Sequence, residues 1–263
     1  MGILEQIVAH KHEELAGRRR RVPLEEVRAR AADAPRARPF LRVLRPFRAS
    51  PIRLIAEVKG ASPSAGTIRT AFDPAQIARA YAQAGAAAIS VLTDARFFSG
   101  ADAHLPAVRE AVDVPVLRKD FVLDPYQIYE ARALGADAAL LIVAILSNTA
   151  LGDLEALAGE LGMAALVEVH TDAELEQALA ARAPLVGINN RNLDTLETSL
   201  EVTRRLRPRI PSGVVVVGES GIEERAHVEE MARLGVDAVL VGTALMRAGD
   251  PAARVRQLLG TAG

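Results

Sequence analysis

The apolar stretch LIAEVK at residues 54–59 ends by placing Glu57 and Lys59 two positions apart. On a strand, such a pair points to one side. Other apolar runs end in a similar way. VLRKD (116–120) leads to Arg118, Lys119 and Asp120, and LVEVH (166–170) to Glu168 and His170. GINNR (187–191) leads to Asn189, Asn190 and Arg191, and VGES (217–220) to Glu219 and Ser220. Buried charges are costly unless paired. Glu57, Lys59, Lys119, Glu168 and Glu219 therefore form either an ion-pair network or a site for proton transfer. The choice of lysine favours the second. Of 32 Lys and Arg residues only three are Lys: Lys11, Lys59 and Lys119. Arginine does not release its proton in proteins, whereas a lysine's pKa can be tuned by its surroundings. Schiff-base chemistry is the other use of lysine, and composition does not separate the two. Lys11 lies on an amphipathic helical pattern and is expected at the surface.

A second signal suits phosphate. Gly218–Gly221 (GESG) and Gly242–Leu245 (GTAL) each follow an apolar run and are expected to open a helix, where backbone N–H groups bind anions. The bland reading is two tight turns without a ligand. Ser62 and Ser64, near Gly66, are weaker oxygen donors from an earlier loop. Phe97, Phe98 and Phe121 follow apolar runs in a chain with few aromatics. They fit either core under loops or the wall of a pocket for a flat ring. No cluster of residues has metal-ligand spacing.

The elements that must carry these residues can be read from repeats. Glycine or alanine at 85, 135, 183 and 235 ends a helical pattern and starts an apolar run. Four more such runs, at 54–58, 114–117, 164–169 and 214–217, bring the total to eight. They lack polar alternation, as parallel strands buried on both faces do. Helical patterns follow each, with Asp73-Pro74 and Asp124-Pro125 as cap and first turn. Ser147, Thr171, Ser199 and the segment 220–223 are further cap candidates. Strand and helix eight times over predicts an α/β protein of the (β/α)8 TIM-barrel class, whose chemistry sits at the C-terminal ends of the strands. A doubly wound sheet would usually show a glycine-rich first turn, which is absent. Residues 51–263 are assigned to the barrel. Residues 1–50 are assigned to an N-terminal helical extension packed on it: about two short helices, then a Pro- and Arg-rich stretch from 35 to 51. The run Arg18–Arg21 is read as a solvated helix end.

The net charge of -1 gives no reason to expect nucleic acid or a membrane as partner. No cysteine is present, so disulfides and thiolate sites are excluded. No segment approaches the ~20 apolar residues of a membrane span, and the N-terminus is unlike a signal peptide. A cytoplasmic location is the expectation.

Taken together, IAEVK (55–59) with ASPS (61–64), SVLT (90–93) with FFSG (97–100), LRKDF (117–121), LVEV (166–169), GINNRNL (187–193), GESGI (218–222) and VGTALM (241–246) resemble the indole-3-glycerol phosphate synthase family. The likeness runs over nearly the whole chain. It implies a lyase of tryptophan biosynthesis acting on 1-(2-carboxyphenylamino)-1-deoxy-D-ribulose 5-phosphate by ring closure, decarboxylation and dehydration. It implies no cofactor and no metal, a phosphorylated small molecule as ligand, and other tryptophan-pathway enzymes as candidate partners. By resemblance Lys119 is the acid of ring closure and Glu168 an acid/base partner. Lys59 contacts the substrate carboxylate or serves as the acid of dehydration, with Glu57 beside it. Asn189 and Ser220 join this catalytic set. Ser62, Arg191 and Glu219 hold substrate. Phe98, Phe121, Leu140 and Leu193 enclose the anthranilate ring, and Gly221, Gly242 and Thr243 take the phosphate. Gly60 and Ala65 stand where many members carry a basic residue, and Thr243 where a serine is common. Another phosphate-binding barrel, such as phosphoribosylanthranilate isomerase or a Schiff-base aldolase, is the rival enzyme reading; the isomerase's cysteine base is lacking. A phosphate-ligand sensor is the non-enzyme reading.

Overall fold

The computed structural model describes residues 2–45, 52–62, 66–67, 72–193 and 195–261. Eight parallel strands close into a barrel: β1 (Arg53–Val58), β2 (Ala88–Leu92), β3 (Val116–Lys119), β4 (Ala138–Ile142), β5 (Ala164–Val169), β6 (Leu185–Asn189), β7 (Val215–Glu219) and β8 (Ala238–Val241). Each strand pairs with its neighbours in sequence, and β8 closes on β1 with Arg53 opposite Ala238. All eight expected strands are present.

Each strand sends alternate residues to opposite sides. Ile55, Leu117, Leu140, Leu166, Val217 and Leu240 pack together inside the barrel. Ala56, Val58, Val116, Val167 and Val216 face the helices. Burying a side chain of this size contributes about 1.5–3 kcal/mol, so a slip by one residue, which would exchange the two sides, is strongly disfavoured. Several helices begin as their sequence predicts. Asp73 and Asp124 accept hydrogen bonds from Gln76 N and Tyr126 N at the starts of α4 (Pro74–Gln83) and α7 (Pro125–Ala133). Ser147 and Thr171 cap α8 (Asn148–Glu160) and α9 (Asp172–Ala180). Gly85, Gly135 and Gly235 have φ of 104°, 90° and 79°, left-handed values that favour glycine. Before β6 the left-handed residue is Arg182, at 59°.

Some expectations need correction. Among the described residues before β1 there are three helices. The first, α1 (Ile3–Arg21), is 19 residues long. Then come α2 (Leu24–Asp33) and α3 (Phe40–Leu44), the last within the Pro- and Arg-rich stretch that follows the two expected helices. Lys11 is not at the surface. The buried residues of α1 are Ile7, Lys11 and Leu15, spaced four apart on one stripe, and Lys11 is 2% exposed. Nor is Arg18 part of a solvated end. Arg18 meets Asp102 and Glu130 of the barrel; Arg19, Arg20 and Arg21 are exposed, Arg19 meeting Asp124 at the surface.

Candidate active site

The polar residues form the next rung above the apolar filling. On β1 the sequence Ile55, Glu57 continues the inward side; β3 gives Leu117, Lys119, and β5 gives Leu166, Glu168. On β7, Val217 is followed by Glu219, which lies opposite Asn189 of β6. The four odd-numbered strands thus each carry a polar residue just past the apolar filling, as a barrel layer drawn from alternate strands does, and Asn189 of β6 reaches Glu168 beside them. Above them opens a cavity of about 490 Å³.

Lys119 stands between two carboxylates. Its Nζ is 3.1 Å from Glu168 Oε2 and 3.1 Å from Glu219 Oε2. Burial by itself would depress the lysine's pKa, but Glu219, Glu168 and Glu57 outweigh it and hold the ammonium above the ordinary amine range. The proton is therefore loaded and tightly held. Glu219 behaves differently. Burial first, and then repulsion from Glu168 and Glu57, push it up to about 8 against the pull of Lys119. Its Oε1 is buried without a hydrogen-bond partner among the described residues. Gly187 makes room for this carboxylate, since a Cβ there would overlap Glu219 Oε1. Asn189 Nδ2 donates to Glu168 Oε1 at 2.9 Å, and the Asn189 carbonyl accepts from His170 Nδ1 at 2.7 Å. That contact gives His170, unassigned from sequence, a bracing place behind the site.

Lys59 and Glu57 make a second pair, 2.7 Å apart. Lys59 and Lys119 hold Glu57 below the usual carboxylate range despite burial, which would raise it. Gly242 leaves the space for this pair. A Cβ on it would meet Glu57 Oε1 and come within 2.9 Å of Lys59 Nζ.

One wall of the cavity is apolar. The rings of Phe98 and Phe121 lie 6.0 Å apart and are tilted by 38°. Leu140 and Leu193 join them, with Ile3, Leu4 and Ile7 from α1. Phe98 sits on a short helix, α5 (Ala95–Phe98), that sequence reading did not foresee. The opposite wall is built of turns. Ser220 and Gly221 are consecutive left-handed residues, with φ of 62° and 73°. They form a tight turn and do not open a helix as expected; α11 (Arg225–Arg233) begins four residues later. Gly242 is the cap of α12 (Thr243–Met246), so the second expected helix opening is present. Arg191 lines the cavity, with its guanidinium donating to the Leu196 carbonyl at 3.1 Å. The side chain of Ser62 and residues Ser64 and Ala65 lie outside the described residues.

Two strand-end residues face away. Arg118, 1% exposed, points outward to Glu130 and Asp102. Asn190, fully buried, donates to the Glu219 and Ser220 carbonyls and braces the β7 turn. Sequence reading missed the α1 contribution and Arg247, which lines the mouth one helical turn past Thr243. The signal for Arg247 was its four-residue spacing from a predicted phosphate turn.

A family model described as indole-3-glycerol phosphate synthase matches residues 4–258. The chain belongs to the indole-3-glycerol phosphate synthase family. A protein of that name from Acidithiobacillus ferrooxidans is 51% identical over 257 residues, covering 97% of this chain and 98% of its own. One from Aromatoleum aromaticum is 51% identical over 259 residues, covering 98% and 99%. Among solved structures, a 3-hexulose-6-phosphate synthase from Salmonella typhimurium superposes with a TM-score of 0.65 at 16% identity, over 80% of this chain and 97% of that one. A thiamine phosphate pyrophosphorylase from Pyrococcus furiosus gives 0.59 at 18% identity, over 79% and 93%. These two likenesses concern the barrel fold alone.

Proposed function

We propose that the chain is an indole-3-glycerol phosphate synthase that acts on 1-(2-carboxyphenylamino)-1-deoxy-D-ribulose 5-phosphate. The observation that carries this reading is the placement of Lys119. A loaded ammonium stands between two carboxylates at the foot of a cavity with an apolar slot on one side and N–H-rich turns on the other. The anthranilate ring lies against Phe98, Phe121, Leu140 and Leu193. The phosphate meets the backbone at Gly221 and Gly242 and the Thr243 hydroxyl. Arg247 adds the positive charge that Gly60 does not supply.

The ring carbon that bears the carboxylate attacks the ketone carbon. As that bond forms, the carbonyl π electrons move to oxygen, which takes the proton from Lys119. An oxyanion developing beside a fixed ammonium in a site of low dielectric is strongly stabilised. The C–CO2 bond then breaks, and its electron pair returns to the ring. Finally the new hydroxyl leaves as water with a proton from an acid, and a base takes a proton from the closing ring. Glu168 serves this acid/base step next to Lys119. Lys59, paired with Glu57, either holds the substrate carboxylate or protonates the leaving hydroxyl. Asn189 fixes Glu168; Arg191, Ser220 and Ser62 orient the sugar chain. Glu219 holds the neighbouring part of the substrate, while Glu168 and Glu57 keep Lys119 charged.

Residues 1–50 serve as an extension of a single domain whose barrel spans 51–263. Neither nucleic acid nor membrane is expected as partner, and the net charge of -1 supports this. Other enzymes of the tryptophan pathway remain candidate partners, and the biosynthetic role supports a cytoplasmic location. The test is to supply the substrate and follow indole fluorescence. Turnover with no adduct on borohydride addition supports acid catalysis. A borohydride-stable adduct on Lys59 or Lys119 supports imine chemistry instead, and absence of product contradicts the reading.

A further inference from the structure

The buried Lys11 belongs to a helix outside the barrel, yet its ammonium reaches the two loops that build the aromatic wall. Its Nζ is 2.9 Å from Asp94 Oδ2 and 2.8 Å from Asp120 Oδ1, as well as 2.9 Å from Glu14 Oε2. Asp94 is wholly buried and Asp120 nearly so. Each aspartate also organises backbone. Asp94 Oδ1 accepts from Phe97 N at 2.7 Å and so starts α5, which carries Phe98. Asp120 accepts from Phe121 N at 2.8 Å and directly follows Lys119. Arg118 and Thr93 face Asp120 from the other side. Three carboxylates hold Lys11 above the ordinary lysine range although burial would lower it, so it stays charged.

We infer that Lys11 is a positioning residue for the reaction: by bridging Asp94 and Asp120 it sets the spacing of Phe98 and Phe121 and the approach of Lys119. The inference rests on the reaction proposed above. The mechanism is electrostatic and local. Two aspartates this close repel each other in a low dielectric unless a cation lies between them. Without the cation, the loops carrying Phe98 and Phe121 separate. An ångström of displacement at that distance from the chemistry is enough to cost about 10²-fold in rate. A residue that merely anchored α1 would affect melting but leave turnover intact well below the melting temperature.

The experiment compares the full chain with Lys11→Met and Lys11→Arg, all assayed well below their melting temperatures. We measure kcat/KM for the carboxyphenylamino ribulose phosphate and the affinity for free anthranilate, followed by its own fluorescence. Lys11→Met should lose roughly 10²-fold in kcat/KM and bind anthranilate more weakly, and Lys11→Arg should recover part of both. If Lys11→Met does not fold, Asp94→Asn replaces it. That change keeps an oxygen for the Phe97 N–H while removing the charge opposite Lys11, and it should show the same two losses. Wild-type kcat/KM and anthranilate affinity in the variant overturn the inference alone. Absence of indole from the wild-type chain overturns the reading of the reaction and the inference with it.

Discussion

Glu219 presents one carboxylate oxygen to Lys119 Nζ at 3.1 Å, while its other oxygen is buried with no hydrogen-bond partner among the described residues. The two groups share a low-dielectric site with Glu168 and Glu57. One of these carboxyls retains its proton near neutral pH, and the structure assigns that role to Glu219, pushed up to about 8. The ammonium and the protonated carboxyl then offer two protons at the same place, next to a carboxylate that can accept one.

Replacing Lys119 by Arg tests what the proton contributes beyond the charge. Arginine would still pair with Glu168 and Glu219 but would not transfer a proton. We expect kcat to fall by about 10²–10⁴-fold, the usual range for a lost general acid, with a smaller change in KM. Steady-state kinetics with near-normal kcat would contradict the acid role. Lys59→Arg is the gentler change, because a contact to a carboxylate survives it.

The Glu219 shift also has a sign in stability. Its pKa is higher folded, about 8, than the ordinary 4.5. Between these values the folded chain binds a proton that the unfolded chain has released. Stability from this group is therefore fully present below about 4.5 and is lost as pH rises through about 8. Glu219→Gln should remove that slope. Denaturant midpoints at both ends of the window should fall with pH more steeply in the wild type than in the variant, and parallel slopes would count against the protonated carboxyl.

Gly187 offers a test that leaves every polar residue in place. A Cβ at this position overlaps Glu219 Oε1, so Gly187→Ala must push the carboxylate away from Lys119. We expect a loss of at least about tenfold in kcat, since misplacing a group near the chemistry is costly. Wild-type kcat in a folded variant would show that the position of Glu219 is unimportant.

Arg247 is exposed and lies at the mouth of the cavity beside Thr243. A contact to the phosphate formed equally in the ground and transition states changes KM more than kcat. Arg247→Ala should therefore raise KM several-fold, and by less as salt is added. An unchanged KM at low salt would remove Arg247 from the site.

Much of this was legible in the residues. Two-residue alternation placed Glu57, Lys119, Glu168 and Glu219 on inward faces, because a parallel strand leaves few choices once its apolar neighbours are buried. Two Asp-Pro pairs and three of the four repeated stops, the glycines, marked helix ends through local backbone chemistry. What was not legible depends on contacts between segments far apart in sequence. Lys11 looked like a surface residue because a lysine on a helix usually is one; only the docking of α1 against Asp94 and Asp120 reverses that. Its place on the stripe with Ile7 and Leu15 was the available sign. Arg18 was obscured for the same reason. The turn at Ser220–Gly221 lacked a local signal for where α11 would begin. The raised pKa of Glu219 follows from burial and from distances to its charged neighbours that no sequence pattern carries.

The most direct test of the central claim is simultaneous measurement of indole fluorescence and CO2 release by the wild-type chain given the carboxyphenylamino ribulose phosphate. The account predicts that both appear together and in equal amounts, with wild-type rates far above those of Lys119→Arg. Absence of indole at high protein concentration, or CO2 release without ring closure, would contradict it.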